Sequence, residues 1–156
     1  MKTRNKKSSG IEIEWNKLGY PTETIRLLLL VPLVQTAWAE GFVQACERKT
    51  ILKFAEELQV NGAATEYLYL IDWFENRPSE EFFARATELL CKWLAEMPIE
   101  QSVKIRKILF TGCFDVACAS TEIGLRKEKQ RISREERREL GLIGEKLGLT
   151  GTLATV

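Results

Sequence analysis

The sequence predicts an all-α fold: a compact bundle of about six to seven helices with a pseudo-twofold internal repeat. Three observations predict it. Apolar residues recur at helical spacing almost everywhere after residue 20. Breakers fall at helix-length intervals, at Gly41, Asn61-Gly62, Pro78 and Pro98. A seven-residue pattern near position 34 is echoed near position 116.

The elements follow in order. A first helix begins at Pro21-Thr22-Glu23-Thr24, with Thr22 able to cap it and Glu23 favoured at its positive end, and runs to about Glu40. Its nearly all-round apolar surface makes it central. Pro32 lacks an N–H and crowds the carbonyl of Leu28, so a kink or break is expected there. A second helix, Gln44 to about Gln59, places Ile51, Phe54, Ala55 and Leu58 on one face. A third, about Ala64 to Glu75, turns Tyr67, Leu68, Leu70, Ile71 and Phe74 inward. Ser79 caps a fourth, Glu80 to Glu96, with Phe82, Phe83, Ala86, Leu89, Leu90, Trp93 and Leu94 inside, and Met97-Pro98 ends it. A fifth runs from about Ile99 to Leu125 on Val103, Ile105, Ile108, Leu109, Val116 and Ala119, weakened in its middle by Gly112. Ser133 opens the last helix, which ends near Gly148. The domain layout is thus a basic, weakly structured segment over 1–20, the helical domain over 21–149 and a tail over 150–156. Within the first segment, Ile11 to Trp15 alternates and is open to three placements: a short strand, packing on the bundle, or docking on a partner.

Composition narrows the chemistry. The 156 residues include no histidine, which removes His-based acid–base catalysis, Ser-His and Cys-His nucleophiles, and His-ligated metal sites. A ferritin-like carboxylate centre needs Glu-x-x-His and is excluded with them. A carboxylate pair such as Asp115 with Glu122 has the residue types of a glycosidase, but a small helical bundle offers it little cleft. The chain is therefore expected not to be an enzyme. Asp72 and Asp115 are the only aspartates among 22 acids, too few for an EF-hand loop.

Charge is divided along the chain. Residues 1–7 carry four basic side chains and no acid, residues 8–125 carry 11 basic and 17 acidic, and residues 126–156 carry 8 basic and 5 acidic. An acidic body has the wrong sign for a nucleic-acid binder. The basic ends suit a peripheral contact with a membrane or membrane protein. Cys46, Cys91, Cys113 and Cys118 match neither a disulfide framework nor a metal cradle and are read as buried thiols in a reducing compartment. The basic start runs into Ser8-Ser9-Gly10 without an apolar core, and the longest apolar stretch, Ile25 to Trp38, is too short and polar to span a bilayer. A cytoplasmic location is expected.

The echo carries the functional reading. Val34-Gln35-Thr36-Ala37-Trp38-Ala39-Glu40 recurs in outline as Val116-Ala117-Cys118-Ala119-Ser120-Thr121-Glu122. Beyond the acid, Val43, Glu47, Arg48, Ile51, Phe54 and Leu58 match Ile132, Glu136, Arg137, Leu140, Ile143 and Leu147, with a longer basic loop in the second copy. Each copy is an apolar helix ending in an acid, a turn, a β-branched residue, then Glu four residues further on. Ala39-Glu40-Gly41-Phe42-Val43-Gln44-Ala45-Cys46-Glu47 resembles the hallmark of the TerB-like family of tellurite-resistance and stress-response proteins, a helix ending Ala-Asp-Gly followed by x-[VI]-[ST]-x-x-E. The resemblance covers roughly residues 22–149. Glu40 replaces the family's Asp, and the second copy has lost the Asp-Gly, keeping Ile132-Ser133-Arg134-Glu135-Glu136.

Two readings of the acids follow. If the halves pack about a pseudo-twofold axis, Glu40, Glu47, Asp115, Glu122 and Glu136 converge, and a hard divalent cation such as calcium, magnesium or manganese relieves their repulsion. In the simpler account, Ser133 with Glu136 is a capping box and Gln44 with Glu47 imitates one, so the glutamates only satisfy helix ends. The resemblance implies a non-enzymatic binding or scaffold protein in tellurite resistance or stress response. Its alternative is a helical adaptor or dimerisation module with no metal site. The expected partner is a protein or a second copy of the chain, anchored by whichever of Trp15, Tyr20, Trp38, Trp73 and Trp93 lies exposed. Trp38 and Trp93, on apolar faces, are expected in the core.

Overall fold

The computed structural model describes residues 10–60, 64–119 and 134–148. Among them are seven α-helices and two 3₁₀ helices, with no strand. The helices are α1 (Gly10–Lys17), α2 (Val31–Ala37), α3 (Ala45–Glu57), α4 (Ala64–Glu75), α5 (Glu80–Glu96), α6 (Ile99–Ala119) and α7 (Arg134–Lys146). The 3₁₀ segments, Thr22–Leu30 and Trp38–Glu40, flank α2.

The first predicted helix is thus three pieces, and Pro32 is the reason. It occupies the second position of α2, where a missing N–H costs nothing. The Leu28 carbonyl, which Pro32 would otherwise crowd, accepts instead from the Val31 N–H in the tighter 3₁₀ pattern. Thr22 does not cap this segment: Pro21 holds the cap position, and Thr22 exchanges hydrogen bonds with the Asn16 side chain. The whole rod from Leu27 to Ala37, apart from half-buried Gln35, is buried. Helices α3, α5, α6 and α7 all pack against α2.

Gly112 decides how closely they pack. Helix α6 continues through it unbroken, and a Cβ there would lie 3.0 Å from Leu33 Cδ2 and 3.3 Å from Phe54 Cδ1. Its missing side chain lets α6 approach both α2 and α3, so it sets a distance where the sequence suggested only a weak point.

The segment before residue 20 is built into the fold from residue 10 onward. Of the three placements open to Trp15, the structure takes packing on the bundle: α1 lies against α5 and the first 3₁₀ helix, and Trp15 is fully buried. Its indole N–H donates to Thr24 Oγ1 at 3.1 Å, and its ring stacks on Tyr20 at 4.6 Å between centroids. Tyr20 in turn meets Tyr69, Trp73 and Phe82, and accepts a 2.8 Å hydrogen bond from Trp73 Nε1. Burial pushes the Tyr20 phenol above its ordinary pKa, an effect the Trp73 bond opposes. Trp38 is buried and donates to the Trp73 carbonyl at 2.7 Å, whereas Trp93 is only half-buried against the core.

Two faces differ from expectation. In α4 the buried residues are Glu66, Leu70, Trp73 and Phe74, while Tyr67 and Leu68 point outward, 44% and 67% exposed. The helix packs on the first 3₁₀ segment with Leu70, Trp73 and Phe74 buried and Tyr69 and Ile71 half-buried against the core. In α6, Val103 is exposed, while its neighbour Ser102 is buried. The last stretch of the predicted fifth helix, the Asn61-Gly62 stop, the Ser133 cap and the turn of the second repeat copy lie outside the described residues. Ahead of Asn61-Gly62, α3 already ends at Leu58 with Gln59 in the left-handed region at φ 58°. The Val60 N–H reaches the Ala55 carbonyl at 2.8 Å and Gln59 N–H reaches Glu56 at 3.1 Å, the two bonds of a Schellman motif.

Two stability outcomes follow. Gly112→Ala lowers unfolding free energy by about 1 kcal/mol despite its better helix propensity, and Gly112→Val by about 2 kcal/mol or more, since the added atoms must displace Leu33 and Phe54. Gln59→Gly raises it by about 0.5–1 kcal/mol by relieving the left-handed strain. Urea titration followed by circular dichroism measures all three.

Candidate functional site

The family-like motif folds as a rigid turn. The second 3₁₀ helix ends at Glu40, and Gly41 adopts φ 90°, closing the turn with its N–H on the Trp38 carbonyl at 2.9 Å. A residue with a Cβ is strained there, which accounts for the glycine. Gln44 and Glu47 then form a capping box: the Gln44 side chain takes the Glu47 N–H, and Glu47 Oε1 accepts the Gln44 N–H at 2.9 Å. Glu47 is buried and Arg48 stacks its guanidinium over Phe74, 5.5 Å from the ring centre. The turn is therefore held at both ends by its own backbone chemistry.

The five acids have different fates. Glu40 is exposed at the end of its 3₁₀ turn. Glu47 uses its carboxylate to satisfy the start of α3. Asp115 sits on α6 facing α3, where partial burial raises its pKa, Lys53 opposes that rise and Glu57 adds to it. Glu136 belongs to α7, but its side chain is outside the described set, and Glu122 lies outside the described residues altogether. Among the described residues, no three His, Cys, Asp or Glu side chains come together where a metal ion could sit.

Two of the thiols are held in their protonated form. Cys113 is fully buried on α6 and its pKa is pushed up to about 12, with a hydrogen bond involving Thr36 acting against the rise. Burial also raises Cys91, opposed by Arg106 and Lys146 and reinforced by Glu88. Neither is a poised nucleophile.

Sequence reasoning missed two features. The C-terminal end of α7 is clasped from two sides: Cys91 Sγ donates to the Lys146 carbonyl at 3.1 Å, and Arg106 Nη1 donates to the Leu147 carbonyl at 2.8 Å while its Nε holds Ser102 Oγ. These bonds satisfy orphan carbonyls at a helix end, where positive charge is also favoured. Nothing in helical periodicity marks residues 41 and 55 positions apart in sequence as partners. The second is Glu66, buried in the first turn of α4 with Oε2 lacking a hydrogen bond. Desolvation raises its pKa and Arg26 partly offsets this. An acid among the apolar residues of a helix start was the available signal.

No family model, curated protein or solved structure matches this chain significantly.

Two measurements probe these acids. Glu47→Ala costs about 1 kcal/mol through the lost cap, and Glu47→Gln, which keeps an acceptor oxygen, costs less than half as much in the same denaturation assay. Glu66 has a higher pKa folded than unfolded, so its contribution to stability is full below the ordinary glutamate pKa and declines as pH rises through the folded value. Glu66→Gln removes that loss. It melts above the parent protein at pH 7, and the gap closes as pH falls to about 4.

Proposed function

We propose that this chain is a non-enzymatic helical adaptor in the cytoplasm, associating through the outward face of α4. One observation carries the reading: Tyr67 and Leu68, adjacent apolar residues on a helix whose other side anchors the aromatic core, are left in water. An exposed tyrosine on a rigid element is among the residue types enriched at interface anchors, and Leu68 extends its apolar surface. The first expected partner is a second copy of the chain, which would pair like face on like face. The TerB-like motif at Ala39–Glu47 supplies the setting, a scaffold role in tellurite resistance or stress response. No helix of the described residues is long and apolar enough to cross a membrane.

The adaptor reading is preferred to the cation reading because Glu47 already serves as a helix cap and Asp115 has Lys53 beside it. The absence of histidine and the protonated thiols favour a role without catalysis.

Sedimentation equilibrium tests the proposal. The parent protein is expected to show a concentration-dependent dimer, and Leu68→Glu to remain monomeric with an unchanged melting temperature. A parent protein that stays monomeric up to millimolar concentration would sink self-association. Calorimetric titration with calcium, magnesium and manganese is expected to give no heat; saturable heat abolished by Glu47→Gln would restore the cation reading.

A further inference from the structure

Helix α4 packs chiefly on the first 3₁₀ helix, and the side turned away from it carries a second apolar stripe. Ala64, Tyr67, Leu68 and Ile71 stand at i, i+3, i+4 and i+7, the spacing with which one helix packs along another. The first three are exposed and Ile71 is half-buried.

Charge is placed unevenly about this stripe. Helix α4 carries Glu66, Asp72 and Glu75 and no Lys or Arg. Glu66 is buried and Asp72 accepts a 2.9 Å hydrogen bond from Asn76 Nδ2, which leaves Glu75 exposed at the C-terminal end. At the other end stands exposed Arg26. Its Nη1 donates to the Gln59 carbonyl at 3.2 Å, just past the end of α3, and its charge acts on Glu66 in the first turn of α4. Neither Arg26 nor Glu75 forms an ion pair with any described residue. The edge of the molecule along α4 is therefore positive at one end, apolar in the middle and negative at the other.

Two copies can meet along such an edge in two orientations. Parallel helices would set each Glu75 against the other and each Arg26 against the other. Antiparallel helices related by a two-fold axis bring unlike ends together. With Tyr67 opposite the partner's Leu68, Ala64 falls opposite Ile71, and Glu75 falls opposite position 60, next to the Gln59 carbonyl that holds Arg26. Resting on the self-association proposed above, we infer that α4 pairs antiparallel with α4 of a second copy, closed at each end by Glu75 of one chain and Arg26 of the other. The apolar stripe supplies the contact and the two charges set its orientation.

Sedimentation equilibrium of charge variants tests the orientation, with melting curves recorded for each protein. Glu75→Arg and Arg26→Glu each place like charges together at both ends of the homodimer and are expected to raise its dissociation constant roughly tenfold. Mixing the two variants in equal amounts is expected to restore association to within about twofold of the parent, because both ends of the mixed dimer again pair an acid with a base. Arg26→Ala, which brings no second acid near Glu66, is expected to weaken association about threefold and guards against a folding defect in Arg26→Glu. Single variants that dimerise as tightly as the parent, or weakened variants that mixing does not restore, would overturn the antiparallel pairing while leaving self-association through Leu68 standing. A parent protein that stays monomeric would overturn both.

Discussion

The fold depends on one buried rod. Residues Leu27 to Ala37 are apolar on nearly every side, so no single neighbouring helix can cover them. Each fully buried leucine or valine contributes on the order of 1.5–3 kcal/mol by leaving water, and that gain is available only if several helices surround the rod. Helices α3, α5, α6 and α7 do this. Pro32 shapes the rod by forcing the 3₁₀ pattern before it, and Gly112 fixes how near α6 can come to it.

A second layer of constraint comes from satisfying polar atoms near that core. The indoles of Trp15, Trp38 and Trp73 all find acceptors, on Thr24, the Trp73 backbone and Tyr20 respectively. Through them α1, α4 and the first 3₁₀ helix are fastened to one aromatic cluster, which also takes in Phe82 of α5. Helix α7 is secured differently, by Gln35 donating to Glu139 and by the Cys91 and Arg106 bonds to its final carbonyls. Among the described side chains, Thr87 and Glu66 each leave a buried oxygen without such a bond.

The turn from Glu40 to Glu47 is held by residues whose structural roles are local. Gly41 and Glu47 are needed for the chain to reverse and for α3 to begin, whatever else the turn does. A carboxylate bound to its own helix N-terminus is a poorer ligand for an external ion.

Helix limits were legible because their causes are local. Ser79 and the Gln44–Glu47 box start helices through contacts three residues apart, and Met97-Pro98 stops one sterically. The absence of histidine likewise bounded the chemistry from composition alone. What the sequence by itself determined was the helical class, most helix starts and stops, the break at Pro32 and the burial of the central rod. Only tertiary structure decided that Tyr67 and Leu68 face water, that Gly112 is a contact point, that Trp15 belongs to the core and that Cys91 meets α7. Periodicity defines a stripe on each helix but not which part of that stripe another helix reaches, and pairings across 41 or 55 residues exist only once the chain has packed.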